Sequence, residues 1–205
     1  MNIKDILSTG AATACARCSL SQARTQVVLP DGAAGSLLAV GEAPGQREDE
    51  LGEGFVGVAG KNLDRVLAQN GFGRSDYARA NIVRCRPPGN RKPKAAEISA
   101  CSSWLVGAIS LCAPTVILAV GESAARGLVT DRWRSYLDYV DSVIRGFQSG
   151  GIGSLPVYGA WSTPVVPMPH TSPLAWNRRR PGGEPIRCLG ERAVFIACQV
   201  NRSER

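Results

Sequence analysis

Leu37-Leu38-Ala39-Val40-Gly41-Glu42-Ala43-Pro44-Gly45 is the stretch that decides the fold. An unbroken apolar run reads as a strand buried on both faces, and the glycine- and proline-bent loop behind it puts backbone N–H groups at the carboxyl end of a sheet. Open α/β sheets bind ligands at that end. Beyond Glu48 and Asp49 the same connection carries Gly54-Phe55-Val56-Gly57.

Working outward, Leu63, Val66 and Leu67 recur at helical spacing and predict a helix from Lys61 to Asn70. Asn81-Ile82-Val83 reads as a second strand. It runs into Arg84-Cys85-Arg86-Pro87-Pro88-Gly89-Asn90-Arg91-Lys92-Pro93, where the prolines forbid regular structure and leave an exposed basic loop. Ile98, Cys101, Leu105, Ala108 and Ile109 keep a helical stripe from Ala95 to about Cys112, which Pro114 closes. Val116 to Val120 is a third strand, and Gly121-Glu122-Ser123-Ala124-Ala125 opens another helix. The recurring strand-loop-helix pattern predicts an α/β fold, a three-layer α/β/α domain with a central, largely parallel sheet, as a single domain over residues 1–205. Toward the N-terminus, the segment before Cys15 reads as helix and Asp31 to Gly35 as a turn. The glycine-rich stretch between Ile144 and Val165 reads as hairpins or a mobile insertion, with Tyr158 and Trp161 placed in the core. Val165 to Pro169 is a late strand ending at His170, followed by a loop to Arg178 and a terminal helix from Leu189 through Cys198.

A chain of 205 residues suits one domain with a sizeable core. No apolar run approaches the roughly 18 residues of a membrane span, and the start lacks a secretory segment, so a cytoplasmic monomer with no membrane partner is expected. Lys and Arg (24) exceed Asp and Glu (17), with clusters at Arg84–Lys94 and Arg178–Arg180. Such clusters suit a polyanion, and on charge alone a solvated surface explains them equally well.

Seven cysteines are many for a chain in a reducing compartment, where a disulfide framework is not expected. Cys15 and Cys18 form a C-x2-C pair, with Cys85 in the basic loop and Cys101 on the helix after it. Four thiolates hold either a 4Fe-4S cluster or a tetrahedral zinc ion, and the spacing does not choose between them. Cys112, Cys188 and Cys198 lie in apolar stripes and read as core.

With these pieces in place, the chain resembles the family 4 uracil-DNA glycosylases, the iron-sulfur members of their superfamily. The resemblance runs from Cys15 to about Leu174. It rests on Gly41 to Gly45 with Glu48-Asp49, Phe55-Val56-Gly57 with Ala59-Gly60, Asn81 to Pro88, the four cysteines, Arg145-Gly146, and Pro167-Met168 before His170. It implies a 4Fe-4S cluster on Cys15, Cys18, Cys85 and Cys101 and a pocket for a base flipped out of uracil-containing DNA. Phe55 then stacks on the base, Asn81 reads its O4 and N3 edge, and backbone groups of Glu42 and Ala43 meet it. His170, the only histidine, stabilises the anion developing on O2. Ala43 stands where the best-known branch has a water-activating aspartate, which leaves Glu42 and, more weakly, Glu48 as catalytic candidates. A helix-start role explains Glu48 and Asp49 as well. Gly45 stands where that branch has a methyl-blocking tyrosine, so exclusion of thymine falls to another side chain such as Glu48.

The second motif departs from the family pattern: His170-Thr171-Ser172-Pro173-Leu174 replaces His-Pro-Ser, and Trp176 falls where the family arginine is expected. Pro173-Leu174 still resembles the wedge that fills the gap left by a flipped base. Trp176 is expected to stack on an unpaired base, while Arg84, Arg86, Arg91, Lys92 and Arg178 to Arg180 hold phosphates. Excision of uracil is the leading expectation. A glycosylase for a C5-modified uracil or deaminated purine is the alternative among enzymes, and a non-catalytic cluster- or zinc-stapled DNA-binding module is the alternative of another class.

Overall fold

The computed structural model describes residues 3–4, 10–159 and 162–203. Strands β1 (Leu37–Gly41), β2 (Ala78–Asn81), β3 (Val116–Val120), β4 (Val157–Tyr158) and β5 (Thr163–Met168) form one sheet in the order β2-β1-β3-β5-β4. The first four strands of that order pair in parallel, and the short β4 runs antiparallel along the edge beside β5. Every residue of β1 and β3 is buried, as a sheet covered on both faces requires.

The main helices are α1 (Gln46–Leu51), α2 (Val58–Gln69), α3 (Ala95–Cys112), α4 (Glu122–Leu128), α5 (Tyr136–Gly150), α6 (Pro173–Trp176) and α7 (Ile186–Ser203). On one face, Leu37, Ala39 and Leu118 pack with Leu63, Leu67, Val194 and Val200 from α2 and α7. On the other, Leu38, Val40 and Ile117 pack with Leu105, Ile109 and Leu128 from α3 and α4. Each such fully buried aliphatic side chain contributes about 1.5–3 kcal/mol. The three-layer α/β/α architecture expected from the sequence is therefore present.

Several boundaries differ from the sequence reading. β2 ends at Asn81, where a strand was expected to begin; Ile82 and Val83 instead donate their N–H groups to the carbonyls of Gly41 and Glu42 in the next loop. The residues from Tyr136 to Gly150 are one amphipathic helix with Ser135 as its cap, in place of hairpins from Ile144 onward. Tyr158 packs against the core, whereas Trp161 lies outside the described residues. Ahead of Cys15, Gly10–Thr13 forms a helical turn; residues 5–9 lie outside the described ones.

Contrary to the expectation from apolar runs, the 18 residues of α3 are long and apolar enough, by length and composition, to cross a bilayer, with mean hydropathy 1.4. Leu105, Ala108, Ile109 and Cys112 lay this helix on the sheet, and Cys101 lies against the N-terminal cysteine segment.

In the sheet order, the connection from β1 leads outward to β2 and that from β2 crosses back to β3. The chain thus diverges between β1 and β3, which opens a crevice at their carboxyl ends.

Candidate active site

A cavity of about 350 Å³ occupies that crevice, walled by the loop Gly41–Gly45, by Phe55 and Gly57–Gly60, by Asn81, and by His170–Ser172. This brings together the catalytic and base-binding residues singled out in the sequence, Glu42, Ala43, Glu48, Phe55, Asn81 and His170. Gly41 ends β1 with no side chain, and a Cβ placed there would meet Asn81 Oδ1 at 2.5 Å and Phe55 Cζ at 2.9 Å. The missing methyl is what lets the amide and the ring close over the strand end. Among the described residues the Asn81 amide has no hydrogen-bond partner, and it is left half-buried at the cavity wall.

Phe55 adopts φ 58°, in the left-handed region, at a cost of about 1–3 kcal/mol for a non-glycine residue. Gly60, in the first turn of α2, makes room for it: a Cβ there would fall 1.9 Å from the Phe55 carbonyl oxygen. Arg74, which sequence reasoning passed over, donates to the carbonyls of both Gly54 (2.7 Å) and Phe55 (3.1 Å) and pairs with Asp64. Tyr77 Oη in turn donates to Asp64. Nothing in the sequence marks Arg74, because its partners are backbone oxygens 19 and 20 residues away.

His170 follows β5. The Ser172 backbone N–H donates to His170 Nδ1 at 3.1 Å, so the ring proton sits on Nε2. Although the residue is open at the cavity mouth, the surrounding protein disfavours its charged form and lowers its pKa below the usual value; the Glu42 carboxylate pulls the other way. The balance favours the neutral ring, and with Nδ1 taken by Ser172 its donor is Nε2. Gly121, at φ 93°, lies against the ring where a Cβ would stand 3.1 Å from His170 Cδ2. The departure at Thr171 also has a role. Its buried hydroxyl donates to the Ala59 carbonyl at 2.8 Å, while Asn62 Nδ2 donates to the Thr171 carbonyl at 2.9 Å. The histidine loop is thereby stitched to the start of α2.

The acidic residues divide by partner. Glu42 lines the cavity beside His170 and also a second cleft of about 690 Å³. Glu48 is buried, and both its oxygens already accept backbone N–H groups, from Gly57 at 2.7 Å and Gly45 at 3.2 Å. It clasps the two halves of the loop. Asp49, also buried, accepts from the backbone N–H of Thr25 and so ties the N-terminal segment to α1.

The basic residues need correction. Arg84 is not on the surface: it is 4% exposed and lies over the Trp104 ring at 4.0 Å. Trp176 is 6% exposed and packs so tightly on α7 that a Cβ at Gly190 would come 2.4 Å from its ring, so it is core and cannot stack on DNA. Arg180 is drawn into ion pairs with Asp138, Asp141 and Glu184, and Arg179 donates to the Gly183 carbonyl. Arg91 lines the cavity but holds Glu97 through both guanidinium nitrogens, at 2.7 and 2.9 Å. Arg86 bonds Asn90 at 2.7 Å. Lys92 and Arg178 are exposed along the second cleft, and Leu174 is 83% exposed beside them.

None of the seven cysteines is in a disulfide. Cys85 is buried in a small apolar cluster with Leu20, Val27 and Val83, and Cys18 and Cys101 pack against it. Arg24 Nη1 donates to Cys85 Sγ at 3.2 Å. Burial alone would raise the Cys15 thiol, but the Arg17 backbone, the Trp104 indole and the charges of Arg84 and Arg17 outweigh it and lower its pKa. Among the described residues no three His, Cys, Asp or Glu side chains form a group that could hold a single ion. Cys18, Cys85 and Cys101 nevertheless lie near enough for their charges to act on one another, with Arg24 beside Cys85 and Arg84 beside Cys101, a setting that suits a negatively charged thiolate centre.

The family model described as Uracil DNA glycosylase superfamily matches residues 31–189. The type-4 uracil-DNA glycosylase of Thermotoga maritima is 41% identical over 111 residues, covering 54% of this chain and 58% of that protein. That of Archaeoglobus fulgidus is 41% identical over 113 residues, covering 55% and 57%. A type-5 uracil-DNA glycosylase of Pyrobaculum aerophilum is 29% identical over 159 residues, covering 70% and 64%. The matched part of the chain thus spans somewhat more than half the length of its type-4 relatives.

Proposed function

The chain belongs to the uracil DNA glycosylase superfamily, and we propose that it hydrolyses the N-glycosidic bond of uracil in DNA to leave an abasic site. The observation that carries this reading is the convergence, in one cavity, of the Phe55 ring, the Asn81 amide and His170, whose Nδ1 accepts from Ser172 and leaves Nε2 as the donor.

A base turned out of the stack enters the cavity and lies against Phe55. Asn81 donates Nδ2–H to uracil O4 and accepts N3–H on Oδ1. Cytosine presents the opposite pattern on that edge and leaves the amide mismatched. As the C1′–N1 bond breaks, its electron pair leaves with the base and the negative charge spreads to O2, where His170 Nε2–H donates. A donor placed at a developing oxyanion is worth about 10²–10³ in rate. Water forms the new bond to C1′, and the proton it loses ends on the departing uracil anion, which leaves as the neutral base. Glu42, beside His170, orients that water and faces the positive charge on the sugar. The backbone of Glu42 and Ala43 forms the wall behind the base. Glu48 serves as a positioning residue, since both its oxygens are engaged by Gly45 and Gly57.

Leu174 fills the space left by the flipped nucleotide, while Lys92, Arg86 and Arg178 contact phosphates. Cys15, Cys18, Cys85 and Cys101 hold a 4Fe-4S cluster. When bound, the cluster supplies a covalent staple between the N-terminal segment, the basic loop and α3. Zinc is the less favoured occupant, and absorption near ~400 nm tests the choice. The activity is tested by abasic-site formation on uracil-containing DNA with Asn81→Ala and His170→Ala. Both variants should melt like the parent and lose at least a hundredfold in rate; parental rates in either would overturn the assigned roles.

A further inference from the structure

We infer that Arg74 is a positioning residue for the base-stacking ring, holding Phe55 in its left-handed backbone conformation from beneath. The inference rests on the uracil reading above. Phe55 lines the cavity from a left-handed backbone conformation, φ 58°, at the turn it forms with Gly54. Two carbonyls at that turn, Gly54 and Phe55, are both taken up by Arg74, which donates from Nη2 to one and Nη1 to the other at 2.7 and 3.1 Å. A guanidinium suits this task because its donors are fixed in one plane and cannot be satisfied by a single acceptor.

Arg74 is itself held at two points, its guanidinium and its carbonyl. Its Nη1 meets both oxygens of Asp64, at 3.1 and 3.3 Å. Asp64 accepts from the buried Tyr77 hydroxyl, and the Arg74 carbonyl accepts from Arg79 Nη1 at 2.5 Å. Arg79 is fixed by a buried ion pair with Asp31, 2.6 Å long. The chain of contacts therefore runs from the edge of β2, through Arg74, to the ring that covers the base. None of its members except Phe55 lines the cavity. Arg74 acts on the base only through Phe55.

That route makes the inference testable by coupling. Arg74→Ala and Arg74→Lys are compared with the parent, each alone and in a Phe55→Ala background, by single-turnover excision of uracil from DNA, by inhibition with free uracil, and by thermal melting. Arg74→Ala should lower the excision rate about 10- to 100-fold and weaken inhibition by uracil by about tenfold. Arg74→Lys, which keeps the charge beside Asp64 but presents a single amine, should fall between. In the Phe55→Ala background, Arg74→Ala should change the rate by less than about threefold. Equal losses in both backgrounds, or parental uracil inhibition in Arg74→Ala, would overturn the role. A lowered melting temperature with parental kinetics below it would do the same, since it would leave Arg74 a purely structural residue. If the parent itself releases no uracil, the proposed activity fails; a parent that excises uracil while Arg74→Ala matches it sinks only this inference.

Discussion

Gly41→Ala separates the architecture of the site from the stability of the fold. The substitution adds one methyl group at the end of β1, 2.5 Å from Asn81 Oδ1 and 2.9 Å from Phe55 Cζ. Non-bonded heavy atoms rest at about 3.5–4.0 Å, so the amide must retreat by about 1 Å and the ring by somewhat less. Both are the free ends of side chains, and Gly41 is not among the glycines with positive φ, so the backbone has no reason to move. Alanine is also a better strand residue than glycine by about 0.5–1 kcal/mol. Melting should therefore stay close to the parent's. Displacing catalytic groups by about 1 Å costs on the order of 10² in rate, or about 2.7 kcal/mol of barrier. The assay is kcat/KM for uracil excision beside thermal unfolding of the same preparation. Activity within threefold of the parent would refute the claim that Asn81 and Phe55 close over this strand end; so would unfolding in step with the loss of activity.

Trp176→Ala should lower stability by about 3–5 kcal/mol, the cost of emptying a packed aromatic site, yet leave DNA affinity unchanged below the melting temperature; denaturant titration and a DNA-binding isotherm check the two halves. Leu174→Ala should leave melting intact and slow excision from duplex DNA roughly tenfold while sparing single strands, as the loss of a wedge requires. Glu97 is held well below the usual carboxylate range, at about 2, chiefly by its hydrogen bond from Arg91, with the Lys94 backbone and Ser19 assisting against burial. Because the unfolded chain takes up the proton first, this contribution is complete above about pH 5 and is lost as the pH falls toward the folded value. Urea unfolding over that range should show Glu97→Gln with a flatter acid limb than the parent.

The features legible in the sequence were those written locally. The apolar runs of β1 and β3, the bend at Gly41–Gly45 and His170 after the last strand stand where local pattern placed them, whereas Asn81 ends β2 instead of opening a strand. What failed depended on distant partners. Arg84 reads as a DNA contact beside Arg86 until Trp104 and the Ala12 carbonyl, 72 residues away, draw it inward. Trp176 sits among exposed arginines in sequence, but a helical turn at Pro173–Trp176 rotates it onto Gly190. Arg180 belongs to an apparent phosphate cluster until α5 brings Asp138 and Asp141 to it. Glu48 reads as the weaker catalytic candidate beside a helix-start role, and the N–H groups of Gly45 and Gly57 that occupy both its oxygens leave no mark on the sequence.

Single-turnover release of free base from otherwise identical DNA carrying uracil, thymine, cytosine or hypoxanthine tests the central claim most directly. The account expects rapid release of uracil with an abasic product, at least a hundredfold faster than any other base, and loss of that release in Asn81→Ala. Folded, cluster-bearing protein that leaves uracil in place, or that releases another base faster, would contradict it.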